Sequence, residues 1–417
     1  MADTYKYGAD VRRLGALVAL IVCAVLVLCG CASSSEPAGT DAATDEATTT
    51  EATEATDGTA EATDEAESED SAASLALVED EEDALSLWSD DAPLKQELTA
   101  YVEAVTDESS ADFIPVEDRV ATFDFDGTLF CETDPNYFDY TLLVYRVLED
   151  PDYKDKASDF EKATAEKIVD QNENGTKYDE LPVEHGQAIA SAFKGMTIDE
   201  FYDYVHEFMK LPMPSYEGMV RGGGFYQPMV QVVKYLQAHD FDIYVMSGTD
   251  RLITRGIFSD PSCPIDLPLS HVLGSNESLV GSKQGDEDGL DYTFGQDEQL
   301  VTGGTFIMKT LKENKCYIIQ SEIAKQPVLS FGNSSGDFAM DNYALTNPTY
   351  KSAAFQLCCD DLERENGNES KASEMLEDCE KNGYVPVSMR DDWTTIYGEG
   401  VTYTGAAAED AELAEAA

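Results

Sequence analysis

The sequence RVATFDFDGTLF, residues 119–130, decides the fold that this chain is expected to adopt. Its first seven residues are mostly apolar, β-branched or aromatic, which is typical of a short buried strand. The strand ends in two carboxylates, Asp124 and Asp126, and Gly127 after them permits a tight turn. A buried strand that ends in a polar turn is a common unit of parallel α/β sheets, so similar strands are expected further along the chain.

Two later stretches repeat this pattern. Residues 241–246 (FDIYVM) run into Ser247 and Gly248, and residues 327–331 (PVLSF) run into Gly332. Shorter strands are expected at 271–273, 292–294 and 305–308. Amphipathic spacing predicts helices at 93–107, 137–148, 157–170, 184–194, 197–210, 227–239 and 314–324. Alternating strands and helices predict an α/β protein with a parallel sheet, and the long helical stretch between the first two strands predicts an inserted unit.

The carboxyl ends of these strands carry the polar side chains. In an open parallel sheet, ligands bind outside the carboxyl ends of the strands. We therefore expect one crevice to be lined by Asp124, Asp126, Ser247 and the segment from Asn333 to Asp337. Lys315 opens the helix before the third strand and can point into the same crevice.

This set of residues suits metal-assisted phosphoryl transfer. Paired carboxylates at a strand end can hold Mg2+, which prefers oxygen ligands. One carboxylate can attack phosphorus to form an aspartyl-phosphate, and the other can protonate the leaving oxygen and then activate water. Amides at Gly127 and Thr128 can point at phosphate oxygens, while Ser247 and Lys315 neutralise the remaining charge.

In order along the chain, DFDGTL at 124–129, SGT at 247–249, Lys315 and GNSSGD at 332–337 resemble the motifs of the haloacid dehalogenase superfamily of phosphohydrolases. The surrounding sequence is similar to its phosphoserine-phosphatase-like branch, over residues 88 to 397. The resemblance implies a Rossmann-like parallel sheet with an inserted helical cap. It places the catalytic core at 85–130 and 225–405 and the cap at 131–224.

The resemblance also assigns roles by position. Asp124 would be the nucleophile, Asp126 the acid and base, and Lys315 the catalytic lysine. Phosphate would be bound by a set of small or polar residues that comprises Gly127, Thr128, Ser247 and Gly248, together with Lys315. The Mg2+ site would comprise Asp124, Asp126, Asn333 and Asp337.

The last motif departs from the usual GDxxxD pattern of the superfamily. One register pairs Asn333 with Asp337, and the other pairs Asp337 with Asp341. We favour the first, because the strand runs directly into Gly332 and a metal ligand should lie at the strand end. Asn is a neutral and weaker ligand, so Asp337 would carry more of the metal binding. Lys309 is a second candidate for the catalytic lysine, although a solvated position at a strand end is favoured.

The chain of 417 residues carries 83 acidic and 27 basic residues, a net charge of −56. Residues 32–84 hold 18 carboxylates and no Lys or Arg, and residues 406–417 hold four carboxylates. Both segments are expected to be disordered, as a tether and a tail. The body from 85 to 405 retains a charge of −35, which excludes nucleic acid as a partner and favours small or zwitterionic phosphoesters over polyanions.

The first 31 residues resemble a bacterial lipoprotein signal. Basic residues precede an apolar run from Leu14 to Leu28, which is too short for a membrane span, and small residues surround Cys31. Lipidation of Cys31 would anchor an extracytoplasmic protein to the membrane. Two other functions stay open: a lipoprotein that binds phosphorylated ligands without turnover, and a dehalogenase or phosphotransferase of the same superfamily. Cys358 or Cys359 can pair with Cys379, or these thiols can stay free.

Overall fold

The structure is a computed structural model in which residues 84–405 are described. The expected signal segment, Cys31, the acidic tether and the C-terminal tail lie outside the described residues. Within 84–405, no helix is both long and apolar enough to span a membrane. The six cysteines of this region, including Cys358, Cys359 and Cys379, are free thiols.

A seven-stranded sheet forms the centre of the described chain, with the strand order β5-β4-β3-β1-β6-β7-β8. Six strands are parallel, and β5 pairs antiparallel with β4 at one edge. The strands of the described residues are β1 (Val120–Phe123), β2 (Tyr216–Glu217), β3 (Asp242–Asp250), β4 (Val272–Gly281), β5 (Leu300–Met308), β6 (Leu329–Gly332), β7 (Ala353–Cys358), β8 (Val385–Ser388) and β9 (Thr402–Tyr403). The α/β fold with a largely parallel sheet, predicted from the sequence, is confirmed.

Ten α-helices surround this sheet in the described region. They are α1 (Pro93–Thr106), α2 (Phe138–Val144), α3 (Asp159–Asn174), α4 (Leu181–Ala192), α5 (Ile198–Met209), α6 (Gln227–Ala238), α7 (Arg251–Ser259), α8 (Glu313–Ile318), α9 (Phe338–Leu345) and α10 (Glu369–Asn382). A capping box precedes α5: the Thr197 hydroxyl accepts from the Glu200 N–H at 3.2 Å, and the Glu200 carboxylate accepts from the Thr197 N–H at 2.9 Å. These reciprocal bonds fix the start of α5.

The sheet core is held by aromatic rings in matched positions on three neighbouring strands. Phe123 of β1 stacks on Phe331 of β6, with ring centroids 4.2 Å apart, and Phe331 stacks on Phe355 of β7 at 4.9 Å. All three side chains are completely buried. Because Phe123 pairs with Phe331 and Phe331 with Phe355 in register, the polar residues that follow β1 and β6 emerge at the same level.

The predicted strand at 292–294 is wrong. These residues lie in the connection 282–299, which joins β4 to β5. The connection is rich in glycine and carboxylates, and Tyr292 is held there by a bond from its hydroxyl to Glu298 at 2.6 Å. The apolar spacing of this stretch thus reflects a folded turn and not a strand. Strands β4 and β5 are instead longer than predicted and form one hairpin at the sheet edge.

The helices between β1 and β3, α2 to α5, pack on the β5 edge and on α7. Gly186 of α4 lies under the ring of Phe306, where an added Cβ would come within 2.4 Å of a ring carbon. Val205 of α5 packs on Gly256 of α7, at 3.0 Å from the position of an added Cβ. Small residues therefore let these four helices, here called the cap helices, sit close to the carboxyl side of the sheet.

Candidate active site

The turn after β1 places Asp124 and Asp126, here called the DxD motif, at the carboxyl edge of the sheet. The N–H of Asp124 donates to the Phe331 carbonyl at 2.8 Å, which continues the β1–β6 ladder by one residue. Gly127 has φ of 82°, and the side chain of Asn333 lies so close to it that an added Cβ would be 1.9 Å from Asn333 Nδ2. Only glycine meets both demands, so this turn fixes Asn333 against the DxD motif.

Asp124 shares a buried lysine with the last motif. Lys315 Nζ, completely buried, lies 2.5 Å from Asp124 Oδ1 and 2.6 Å from Asp337 Oδ1. Burial and the charge of Asp337 raise the pKa of Asp124 to about 7, against the opposing charge of Lys315. Burial lowers the pKa of Lys315, but the two carboxylates together hold it above its usual range, so the ammonium stays charged.

Asp126 points away from Lys315 towards two hydroxyls of β3. Its Oδ2 accepts from the Thr249 hydroxyl at 2.6 Å and from the Ser247 hydroxyl at 3.5 Å. Its Oδ1 is buried and has no hydrogen-bond partner among the described residues. Burial, and then the charge of Asp139, raises the pKa of Asp126 well above its usual range. A carboxyl with a raised pKa holds its proton to higher pH than an ordinary aspartate and can donate it.

The last motif uses Asp337 to close its own loop. Asp337 Oδ2 accepts from the N–H groups of Asn333 and Ser334 at 3.1 and 3.0 Å, while Oδ1 faces Lys315. Asp341 is completely buried behind the motif, where its oxygens accept from Ser330 at 2.6 Å and Gln356 at 2.5 Å. The register that pairs Asn333 with Asp337 is thus the one that faces the DxD turn.

These residues border a cavity of about 140 Å3. Its lining includes Asp124, Asp126, Gly248, Asn333 and Asp337 from the predicted set, together with Glu132, Tyr137, Asp139, Tyr140, Pro182, Thr249, Lys309, Leu311 and Ser334. Lys309 is not a solvated strand-end lysine: its ammonium lies 3.9 Å from Asp139 Oδ2, and its side chain is 13% exposed. Five carboxylates and one lysine of this lining make the cavity strongly acidic.

Three predicted phosphate contacts differ from the expectation. The Gly127 N–H donates to the Phe130 carbonyl at 2.6 Å and the Thr128 N–H donates to the Phe125 carbonyl at 3.2 Å, so both amides are committed to the turn. Ser247 is completely buried and does not border the cavity. Its hydroxyl accepts from the Thr249 N–H at 2.9 Å, which places it as a support for Thr249 and Asp126.

The donor set agrees with a hard cation bound by mixed oxygen ligands. Within residues 84–405, no group of three or more His, Cys, Asp and Glu side chains is arranged to hold a metal ion. A site built from the Asp124 carboxylate, the Asp126 carbonyl, Asn333 and Asp337 needs only two acidic side chains and matches the preference of Mg2+ for oxygen.

No protein-family model matches the sequence, and no curated protein matches it. Solved structures show distant similarity. A functionally unknown protein from Anaerococcus prevotii shares 15% identity at a TM-score of 0.44, with 70% of this chain and 91% of that chain covered. Cytosolic 5'-nucleotidase IIIB bound to cytidine shares 10% identity at 0.44, covering 74% and 91%. A phosphoserine phosphohydrolase-like protein from Francisella tularensis shares 10% at 0.33, covering 62% and 92%. Similarity at this level carries no inference about activity.

Proposed function

We propose that this chain is a Mg2+-dependent phosphomonoester hydrolase of the haloacid dehalogenase superfamily. One observation carries the proposal: the two carboxylates of the DxD motif border the same cavity but lie in opposite electrostatic settings. Asp124 is paired with the charged Lys315, whereas Asp126 accepts hydrogen bonds from two neutral hydroxyls and has an unpartnered oxygen. Two carboxyls in such different environments suit a nucleophile and a proton donor.

The proposed reaction has two steps. In the first, an Asp124 oxygen forms a bond to phosphorus as the phosphorus–oxygen bond to the alcohol breaks, and Asp126 donates its proton to the departing alkoxide. In the second, Asp126 accepts a proton from water, which attacks phosphorus, and the bond to Asp124 breaks to release phosphate. Lys315 holds Asp124 in place and offsets part of the added charge. Mg2+ held by Asp124, the Asp126 carbonyl, Asn333 and Asp337 would offset the rest.

The charge of the cavity supports a small substrate with one phosphoryl group. Glu132 and Asp139 border the cavity beside the DxD carboxylates, and burial raises the pKa of Glu132 to about 7. A second anionic group on the substrate would meet these carboxylates at short range, where solvent screens little. We further propose, from the lipoprotein-like N-terminus, that hydrolysis takes place outside the cytoplasm on a membrane-anchored protein.

Hydrolysis of p-nitrophenyl phosphate by the purified protein tests the proposed reaction. Asp124→Asn should reduce kcat by about 10,000-fold or more, because an amide is not a nucleophile at this position. EDTA should abolish turnover and added Mg2+ should restore it. Glu322→Gln is the matched control, since Glu322 pairs with Arg251 at the surface of the same sheet edge and should leave kcat unchanged.

Full activity of the Asp124→Asn protein, or full activity in EDTA, would overturn the mechanism. A protein that binds phosphate esters in calorimetry but never releases phosphate would instead be the binding lipoprotein considered above. Release of halide without metal would point to a dehalogenase. Phosphate release and its dependence on metal therefore together separate the three outcomes.

A further inference from the structure

A second polar cavity adjoins the active-site cavity. It has a volume of about 320 Å3 and shares Glu132 and Tyr137 with the active-site cavity. Five carboxamides border it, and we call it the amide groove: Asn136, Gln171, Asn172, Asn366 and Asn368. Thr133 and Lys371 complete its polar lining.

We propose that the amide groove binds the hydroxyl groups of a polyhydroxylated leaving alcohol, so that the substrate is a sugar or polyol phosphate. This inference rests on the proposed phosphatase function and specifies its substrate class. The first argument is size. The inner cavity, at about 140 Å3, is well below the 300–1,000 Å3 of typical ligand pockets and accommodates a phosphoryl group with little more. The amide groove shares Glu132 and Tyr137 with the inner cavity and, at about 320 Å3 against about 80 Å3 for the cavity that shares Glu132 and Asn333, has more room for the rest of a larger substrate.

The second argument is unused hydrogen-bonding capacity. Asn136 donates to Asn172 Oδ1 at 3.0 Å, Asn366 donates to the Thr133 carbonyl at 3.5 Å, and Asn368 accepts from the Lys371 N–H at 3.0 Å. These bonds orient the carboxamides but leave free groups. Within residues 84–405 no protein group bonds to Asn172 Nδ2, Asn366 Oδ1, Asn368 Nδ2 or either end of the Gln171 amide, and Asn366 and Asn368 are exposed, so these groups are open to solvent or to a ligand.

The third argument is chemical. A carboxamide presents a donor and an acceptor side by side, which matches a pair of neighbouring hydroxyls, each both donor and acceptor. The surface of this chain is dominated by carboxylates, yet Glu132 is the only acidic residue that lines the amide groove. A neutral, hydroxyl-rich group is bound there without the charge repulsion that the inner cavity imposes on further anions.

The two sides of the groove come from different parts of the fold. Gln171 and Asn172 lie in the last turn of α3 in the cap helices, and Asn366 and Asn368 precede α10 on the sheet side. A ligand in the groove therefore contacts both sides at once. Such contacts can select the leaving alcohol of the substrate next to the reacting phosphorus.

The test compares glucose 6-phosphate with n-hexyl phosphate, which has the same charge and carbon number but no hydroxyls. In the parent protein, kcat/KM should be at least tenfold higher for the sugar phosphate. In the double variant Gln171→Ala/Asn366→Ala the ratio should fall by about tenfold, because each lost hydrogen bond is worth about 0.5–1.5 kcal/mol. Gln296→Ala removes an exposed carboxamide outside the groove and should leave the ratio unchanged.

A ratio near one in the parent protein, or an unchanged ratio in the double variant, overturns the proposal. Turnover of n-hexyl phosphate reports the phosphatase function by itself, so the two proposals can fail separately. If neither ester is hydrolysed, calorimetric binding of both to the same three proteins measures the same ratio without turnover. Thermal melting of each variant checks that it is folded.

Discussion

Two groups of buried carboxylates in this molecule have very different partners. Asp124 and Asp126 both border a cavity; Asp124 pairs with Lys315, and Asp126 keeps an unpartnered oxygen. Glu365, equally buried, has no cation: its Oε1 accepts from the hydroxyls of Thr133 and Tyr216, and its Oε2 from the hydroxyl of Tyr397. We call Glu365 with these three hydroxyl groups the Glu365 cluster.

The comparison separates a reactive carboxylate from a structural one. Burial raises the pKa of Glu365 as it raises the pKa values of Asp124 and Asp126, so a shifted pKa alone does not identify an active site. The two kinds of carboxylate differ in how many of their oxygens have hydrogen-bond partners and in whether they border the cavity. Every oxygen of Glu365 has a partner and none borders the active-site cavity, whereas the DxD carboxylates keep unused capacity next to open space.

The largest expected effect is on catalysis. Asp126→Asn removes the proposed proton donor but keeps the size of the side chain, so kcat for an alkyl phosphate should fall by about 1,000-fold. The loss should be smaller for p-nitrophenyl phosphate, whose leaving group needs less protonation. Phosphate release with the two esters measures both numbers. Equal losses for the two esters would show that Asp126 does not protonate the leaving group.

The next effect is on stability and concerns the Glu365 cluster. Glu365→Ala leaves three hydroxyl groups without their acceptor and should lower the free energy of unfolding by about 3 kcal/mol. Urea denaturation measures this, and kcat of the folded variant should stay within a few-fold of the parent. A loss of kcat as large as that of Asp126→Asn would mean that the Glu365 cluster also serves the reaction.

A third effect is a dependence of stability on pH. Burial, and then the charge of Asp337, raises the pKa of Asp341 to about 8 from 3.8. Between these values the folded protein holds a proton that the unfolded chain lacks, so Asp341 stabilises least above pH 8. From pH 6 to pH 8 its contribution should fall by about 2 kcal/mol. Asp341→Asn mimics the protonated form, so its free energy of unfolding, measured by urea titration without metal, should depend less on pH over this range. The same pH dependence in the parent and the variant would contradict the prediction.

The smallest effects come from removing one hydroxyl from each group. Thr249→Val takes the 2.6 Å donor from Asp126 and should lower kcat by about tenfold with little change in stability. Tyr397→Phe takes one donor from Glu365 and should cost about 1 kcal/mol in stability with kcat unchanged. Both variants should be assayed for kcat and for the free energy of unfolding. The same changes in both variants would contradict the distinction between the two groups of carboxylates.

Local sequence signals predicted the part of the site that lies on the sheet. The apolar run before Asp124, the glycine after Asp126 and the strand before Gly332 act within a few residues, so their geometry follows from the sequence. Lys315 was predicted from its position at the start of a helix. Thr249 was within reach of the same reasoning, because it lies two residues after Ser247 and therefore on the same face of β3.

The remaining lining residues depend on tertiary packing. Asp139 and Lys309 meet only because α2 of the cap helices lies against the end of β5, which no local spacing encodes. The two amides at Gly127 and Thr128 were predicted to face phosphate, but the turn uses them to hold Phe130 and Phe125. Residue types alone do not determine whether such an N–H group donates to a ligand or to a carbonyl of the turn.

Strand β9, at the end of the described chain, pairs with β2 at the base of the cap helices, and Thr404 Oγ1 donates to the Ser215 carbonyl at 3.1 Å. Nearly two hundred residues separate these partners in the chain. At ordinary rates of translation the ribosome completes β2 roughly 10–40 s before β9. The growing chain therefore contains Asp124 and Asp126 well before β9 can pair with β2. Truncation before Thr402 would leave that segment permanently without its partner strand.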